Sequence, residues 1–135
     1  MTNAEIVRLI DHTLLKPEAT ASDLDQLCAE ARQYNFFSVC VQPFWVPHCS
    51  QALKQSAVKV CTVIGFPLGC NTLAVKSFEA ARAVASGADE LDMVIHLPAL
   101  KSQKWEVVTA DIVGVVEAAE GRTVKVILET ALLTE

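Results

Sequence analysis

The sequence predicts an α/β fold whose parallel sheet curls into a barrel, and three observations carry that prediction. Short β-branched runs alternate with longer amphipathic stretches along the whole chain. Split by parity, each run has one largely apolar face and one mixed face, the pattern of a sheet with helices on one side and polar groups on the other. No Gly-x-Gly-x-x-Gly follows any run, so the usual mark of a doubly wound dinucleotide-binding sheet is missing. A doubly wound domain, such as a receiver-like module, would need apolar residues on both strand faces and stays as the competing architecture.

The elements follow in order. An extended segment is expected around Ile10–Leu15, then strands at Phe36–Val41, Val58–Ile64, Glu90–Ile95 and Val124–Leu128. Leu24, Leu27, Cys28 and Ala31 keep helical spacing, with Ser22 as the expected N-cap. A weaker helix spans Pro43 to Leu53, with Pro47 in its first turn. Val75, Phe78, Ala81 and Ala85 form the next apolar stripe, closed by Gly87. The last helix carries Trp105, Val108, Ile112, Val115, Val116 and Ala119 on one face, between Ser102 and Gly121. On the mixed strand faces lie Ser38, Cys40 and Gln42; Lys59, Cys61 and Val63; Asp92, Val94 and His96; and Lys125, Ile127 and Glu129.

Composition bounds the function. With 135 residues the chain can form one real core. Hydrophobic residues make up 52% and charged residues 20%, which suits strands buried on both sides or a piece of a larger fold. The net charge of −5 and the scattered lysines and arginines argue against nucleic acid as a partner. No apolar run reaches the roughly 20 residues of a membrane span, and the first residues are charged where a leader would be apolar. Five cysteines, an odd number without a Cys-x-x-Cys, give no disulfide framework or zinc motif and fit a reducing cytoplasm.

Asp92 is the most informative residue. It interrupts the apolar run Glu90-Leu91-Asp92-Met93-Val94-Ile95, where a carboxylate is costly to bury. It is either half of an ion pair, with Lys59 or Lys125, or a proton-transfer group facing a barrel lysine. Lys125, read as the start of the fifth strand, is either a snorkelling surface lysine or a positive neighbour for the site. The other lysines on helices and loops are expected to be solvated. Gly65-Phe66-Pro67-Leu68-Gly69 follows the third strand and would lie at the C-terminal mouth of a barrel. Asp11, His12 and Thr13 sit together, but His48 and His96 offer no ligand spacing to them, so no metal is expected.

These segments resemble deoxyribose-phosphate aldolases. The resemblance rests on Ile10-Asp11-His12-Thr13-Leu14-Leu15-Lys16-Pro17, Ser38-Val39-Cys40-Val41-Gln42-Pro43 and Val63-Ile64-Gly65-Phe66-Pro67-Leu68-Gly69. Gly87-Ala88-Asp89-Glu90-Leu91-Asp92-Met93-Val94-Ile95 and Val124-Lys125-Val126-Ile127-Leu128-Glu129-Thr130 continue it in order across the chain.

The resemblance implies a (β/α)₈ TIM barrel, present as its N-terminal part of about five parallel strands over residues 1–135. It implies reversible cleavage of 2-deoxyribose 5-phosphate to glyceraldehyde 3-phosphate and acetaldehyde through a lysine Schiff base, with no metal or other cofactor. Asp92 takes the place of the family's proton-transfer aspartate. Lys125 takes that of the fifth-strand lysine near the active centre. Asp11, Thr13, Cys40, Val63 and Phe66 match substrate-pocket positions. The family's Lys-Thr-Ser-Thr-Gly stretch with the Schiff-base lysine, its second active lysine and its glycine-rich phosphate site have no counterpart in these residues, so the isolated chain is expected to be inactive. Self-association or pairing with a complementary C-terminal segment is the partner expectation. A non-catalytic sugar-phosphate- or protein-binding remnant of the fold remains the alternative. His96-Leu97-Pro98 departs from the family pattern, so the loop after the fourth strand is expected to differ.

Overall fold

The computed structural model describes residues 1–134 and shows five parallel strands in sequential order in one sheet. A short helix α1 (Asn3–Val7) precedes β1 (Asp11–Leu14), which is followed by α2 (Ala21–Tyr34) and β2 (Ser38–Val41). A 3-10 turn then leads into α3 (Val46–Leu53) and β3 (Lys59–Ile64). After α4 (Leu73–Ala85) come β4 (Glu90–Val94), the short α5 (Leu97–Lys101), α6 (Trp105–Ala118) and β5 (Thr123–Ile127). The predicted strands all exist, each shorter or shifted by one or two residues at an end.

The strand order and the side of the sheet taken by the helices settle the architecture. Val39, Val41, Val60, Ile64, Leu91 and Met93 point to one side and meet Leu24, Leu27, Cys28 and Ala31 of α2, Val46, Cys49 and Leu53 of α3, Ala80 and Ala83 of α4, and Val115 of α6 in one cluster. Each fully buried Val or Leu there contributes roughly 1.5–3 kcal/mol. The opposite side carries a small cluster of Cys40, Cys61 and Val63 with Leu15 against it. Helices on one face and mixed residues on the other form part of a barrel wall, and the doubly wound alternative falls. The edge strands β1 and β5 each pair with one neighbour only among the described residues.

Several local expectations are corrected. Thr20, not Ser22, starts α2, because Thr20 and Asp23 form a reciprocal capping box. Ser102 ends α5, an unexpected helix, and Lys104 stands before α6. The largest correction concerns α4. Val75 and Phe78 of its apolar stripe are 52% and 69% exposed, and the face turned to the sheet is Lys76, Ala80 and Ala83. Two alanines let the helix approach the strands closely, which leaves the larger apolar side chains outside.

Lys76 is therefore not solvated. Its Nζ donates to Asp111 Oδ2 of α6 at 2.6 Å and to the Val94 carbonyl at the end of β4 at 2.9 Å. The same side chain packs against Gly65, where an added Cβ would lie 2.9 Å from Lys76 Cε, and Gly65 holds φ +64°, a left-handed value that favours glycine. Glu79 accepts the Gly65 N–H at 2.7 Å. Helix α4 thus supports the ends of β3 and β4 from below. Losing one partner leaves a buried charge uncompensated. Lys76→Met is expected to lower stability by about 3–5 kcal/mol in urea unfolding. The pair Lys76→Met with Asp111→Leu is expected to recover most of that loss; equal losses in the single and paired variants would contradict it.

Candidate active site

The concave side of the sheet gathers charge because parity sends every second strand residue there. Asp11 is the first residue of β1, Ser38 the first of β2, Lys59 the first of β3 and Glu90 the first of β4. Register then brings Asp92 level with Val63 on one side and Lys125 on the other. Lys125 is the third residue of β5, not its start, so its ammonium lies over the interior.

That ammonium is the hub. It donates to Asp11 Oδ2 at 2.6 Å, across from the fifth strand to the first. It also lies 3.4 Å from Glu90 Oε2 and 3.2 Å from Asp92 Oδ1. Ser38 Oγ donates to Asp11 Oδ1 at 2.6 Å. Lys59 reaches Glu90 Oε1 at 3.3 Å and rests over the Phe37 ring at 4.7 Å. The ion pair expected for Asp92 is thus formed with Lys125, while Lys59 serves Glu90. Although Lys125 is close enough to Asp92 for an ion pair, it is not aligned for a hydrogen bond, so Asp92 Oδ1 is buried without one.

These surroundings push the groups apart. Burial raises the Asp92 pKa above the ordinary carboxylate value, and the Lys125 charge offsets this only in part. For Asp11 burial also acts upward, but the hydrogen bonds from Lys125 and Ser38 prevail and hold it low. Lys125 is raised: burial acts against its charge and is outweighed by the hydrogen bond to Asp11 and the nearby negative groups. An adjacent pair of carboxyls with opposite shifts is the kind of arrangement that acid–base chemistry uses.

Of the residues singled out from sequence, the structure brings Asp11, Asp92, Lys125, Cys40 and Val63 to this interior. Cys40 Sγ, Cys61 Sγ and the Asp92 carboxylate lie within 4.8 Å of one another. Thr13 is exposed and its hydroxyl turns back to the Asp11 carbonyl at 2.8 Å, away from the charge array. Phe66 is 36% exposed on the loop that leaves β3 toward the C-terminal mouth. The histidines stand elsewhere: His12 pairs with Glu30 at 2.7 Å and His48 with Asp25 at 2.8 Å. The nitrogen His96 Nδ1 accepts from the Ala99 N–H at 3.2 Å and starts α5. Ser38, Glu90 and Cys61 were not chosen from sequence as site residues. Parity was the signal that could have found them, since Glu90 lies two residues before Asp92 and Cys61 two before Val63.

A pH dependence follows from the two aspartates. Asp92 binds its proton more tightly when folded, so ionising it costs stability as pH rises above the ordinary carboxylate range. Asp11 has the opposite sign: its contribution is full above that range and is lost as pH falls through its lowered folded value. Asp92→Asn is expected to raise the urea midpoint at about pH 7 and Asp11→Asn to lower it, with both differences shrinking toward pH ~3. A lower midpoint for Asp92→Asn at neutral pH would contradict the assignment.

Comparison with known proteins adds to this geometry. A family model described as DeoC/LacD family aldolase matches residues 6–135. Over 129 residues the chain is 60% identical to a deoxyribose-phosphate aldolase of Lysinibacillus sphaericus, covering 95% of this chain and 58% of that protein. It is 58% identical to that of Enterococcus faecalis over 132 residues, 97% of this chain and 60% of the relative. Among solved structures, the tetrameric deoxyribose phosphate aldolase from Aeropyrum pernix superposes with a TM-score of 0.89 at 39% identity, over 98% of this chain and 56% of its own. A Coccidioides immitis protein described as a candidate deoxyribose-phosphate aldolase gives 0.97 at 44% identity, over 99% of this chain and 53% of its own. The chain therefore spans about three-fifths of the length of the curated relatives it matches.

Proposed function

We propose, since this chain belongs to the DeoC/LacD family of aldolases, that it supplies the first five β/α units of an enzyme that reversibly cleaves 2-deoxyribose 5-phosphate to glyceraldehyde 3-phosphate and acetaldehyde. The single observation that carries the reading is the partly buried Asp92 carboxylate beside Lys125 on the concave face, with its buried Oδ1 free of any hydrogen bond. Carbon–carbon cleavage through a Schiff base needs a group that accepts and returns protons next to the imine carbon. A carboxyl raised by burial, with an oxygen available to hold a water, suits that task. Ser38 holds Asp11, Asp11 holds Lys125, and the Lys125 ammonium lies 3.2 Å from Asp92 Oδ1. Cys40 and Val63 line the wall below the mouth, while Thr13 and Phe66 stand where an incoming sugar phosphate would pass.

The amine that forms the Schiff base is not among the lysines of this chain, in our reading. A nucleophilic lysine must lose its proton near neutral pH, which requires a depressed pKa. The ammonium of Lys125 is held protonated by Asp11, Lys59 faces Glu90, and Lys76 is locked to Asp111. Lys16, Lys54, Lys101 and Lys104 are exposed. A complementary C-terminal segment with strands six to eight would bring the amine, close the barrel against β1 and β5, and add the phosphate site. The five cysteines are free, which supports a cytoplasmic setting. Among the described residues no helix is long and apolar enough to cross a membrane.

Two outcomes test this reading. In borohydride trapping with acetaldehyde, the chain alone is expected to give no stoichiometric lysine adduct. A mixture with a peptide spanning the missing strands should trap the aldehyde on that peptide and show turnover that Asp92→Asn abolishes. A single adduct on this chain with turnover would overturn it. In analytical ultracentrifugation the chain alone is expected to sediment as dimers or larger species. Its edge strands are open, and Phe78, Trp105, Val113 and Val116 are exposed. A monodisperse monomer at high concentration would contradict that.

A further inference from the structure

Beyond the charge array, the concave face holds a second group of side chains with a chemistry of its own. Cys40 and Cys61 are register partners on the neighbouring strands β2 and β3, and Asp92 follows on β4 opposite Val63. Three adjacent parallel strands, rigid and hydrogen-bonded to each other, thus aim two sulfurs and a carboxylate at one volume. We propose that Cys40, Cys61 and Asp92 form a binding site for a thiophilic divalent cation of the zinc type.

The geometry supports this choice. The three donor groups lie within 4.8 Å of one another. Tetrahedral zinc with Zn–S of ~2.3 Å places two sulfurs about 3.8 Å apart, so a closure on the order of 1 Å brings the set to coordination distance. Two thiolates and one carboxylate oxygen select a borderline-soft cation over magnesium or calcium, which take oxygen ligands. Asp92 Oδ1 has a free lone pair, since it is buried with no hydrogen bond. A fourth position is left for water.

The charge balance also holds. Binding replaces two thiol protons by one M²⁺, forming two metal–sulfur bonds and releasing two H⁺, so the net charge of the interior does not change. Lys125, 3.2 Å from Asp92, need not move, because Asp11 retains it at 2.6 Å. Its charge moderates the affinity without blocking the site. The other buried thiols, Cys28 and Cys49, also face each other between α2 and α3. No carboxylate or imidazole joins them as a third donor among the described residues. The site stands on the placement of these three side chains and holds whether or not the aldolase reading does. If Asp92 is the proton-transfer group, a bound cation occupies it and silences the site.

The test uses the full chain, reduced and free of metal, titrated with Zn²⁺ by calorimetry and with Cd²⁺ through its thiolate charge-transfer absorption. One cation per chain is expected, with Cys40 and Cys61 protected from alkylation and Cys28, Cys49 and Cys70 labelled as in the metal-free chain. Cys40→Ser and Cys61→Ser should each weaken binding by more than the roughly 10–100-fold that an outer-shell partner costs. Asp92→Asn should weaken it by about tenfold or more, and Cys28→Ser should leave it unchanged. Where a serine variant does not fold, the protection pattern in the unaltered chain decides. Binding that survives loss of both Cys40 and Cys61, protection that falls on Cys28 and Cys49, or an Asp92→Asn variant that binds like the parent chain overturns the proposal.

Discussion

The ammonium of Lys125 is the point on which the concave face depends. Three carboxylates, Asp11, Glu90 and Asp92, converge within 2.6 to 3.4 Å of it. Without a cation between them they would repel one another in a partly dehydrated space, where each buried charge costs several kcal/mol. The bond to Asp11 spans 114 residues of sequence. It links the first strand to the fifth across the interior, so the curvature of the sheet and the state of the site are coupled. The convex face is held by apolar packing and the buried Lys76–Asp111 pair, whereas the concave face is held by this charge array.

The two faces were legible in sequence to different degrees. The direction of side chains followed from alternation alone, because a parallel strand allows two directions and the apolar set takes the one facing the helices. Asp92 stood out for the same reason: a carboxylate in the middle of an apolar run must have a partner. That its partner is Lys125 was one of two possibilities, since spacing cannot rank Lys59 against Lys125 across different strands. Helix faces were less legible. On α4 the stripe through Val75 and Phe78 and the row of Lys76, Ala80 and Ala83 are both compatible with helical spacing, and a rule that favours large apolar residues selects the wrong one. Close packing against the sheet decided for the alanines, and Asp111 on another helix made it possible to bury Lys76. A contact between α4 and α6, 35 residues apart, leaves no local trace in the sequence.

Function separates the groups in the same way. Of the positions that the resemblance places at the site, Asp11, Cys40, Val63, Asp92 and Lys125 are gathered inside by the sheet, while Thr13 and Phe66 stand nearer to solvent. Asp92 is kept in a place where its ionised form is penalised, and that penalty is what a proton-transfer group requires. The cation beside it is committed to structure: Asp11 holds it protonated, which suits a residue that shapes the field of the site and not one that attacks a carbonyl. The cysteines of β2 and β3 complete the wall and give it a second affinity, for soft cations.

The commitment of Lys125 to Asp11 is open to one direct measurement: trace labelling of amines with acetic anhydride, read lysine by lysine by mass spectrometry across alkaline pH. Lys125 is 37% exposed, so burial alone does not shield it. It is expected to label at least about tenfold more slowly than exposed Lys54 and Lys104 near pH ~9, reflecting an amine that keeps its proton, and to accelerate toward their rate in Asp11→Asn. Labelling of Lys125 as fast as those surface lysines in the unaltered chain would contradict the account.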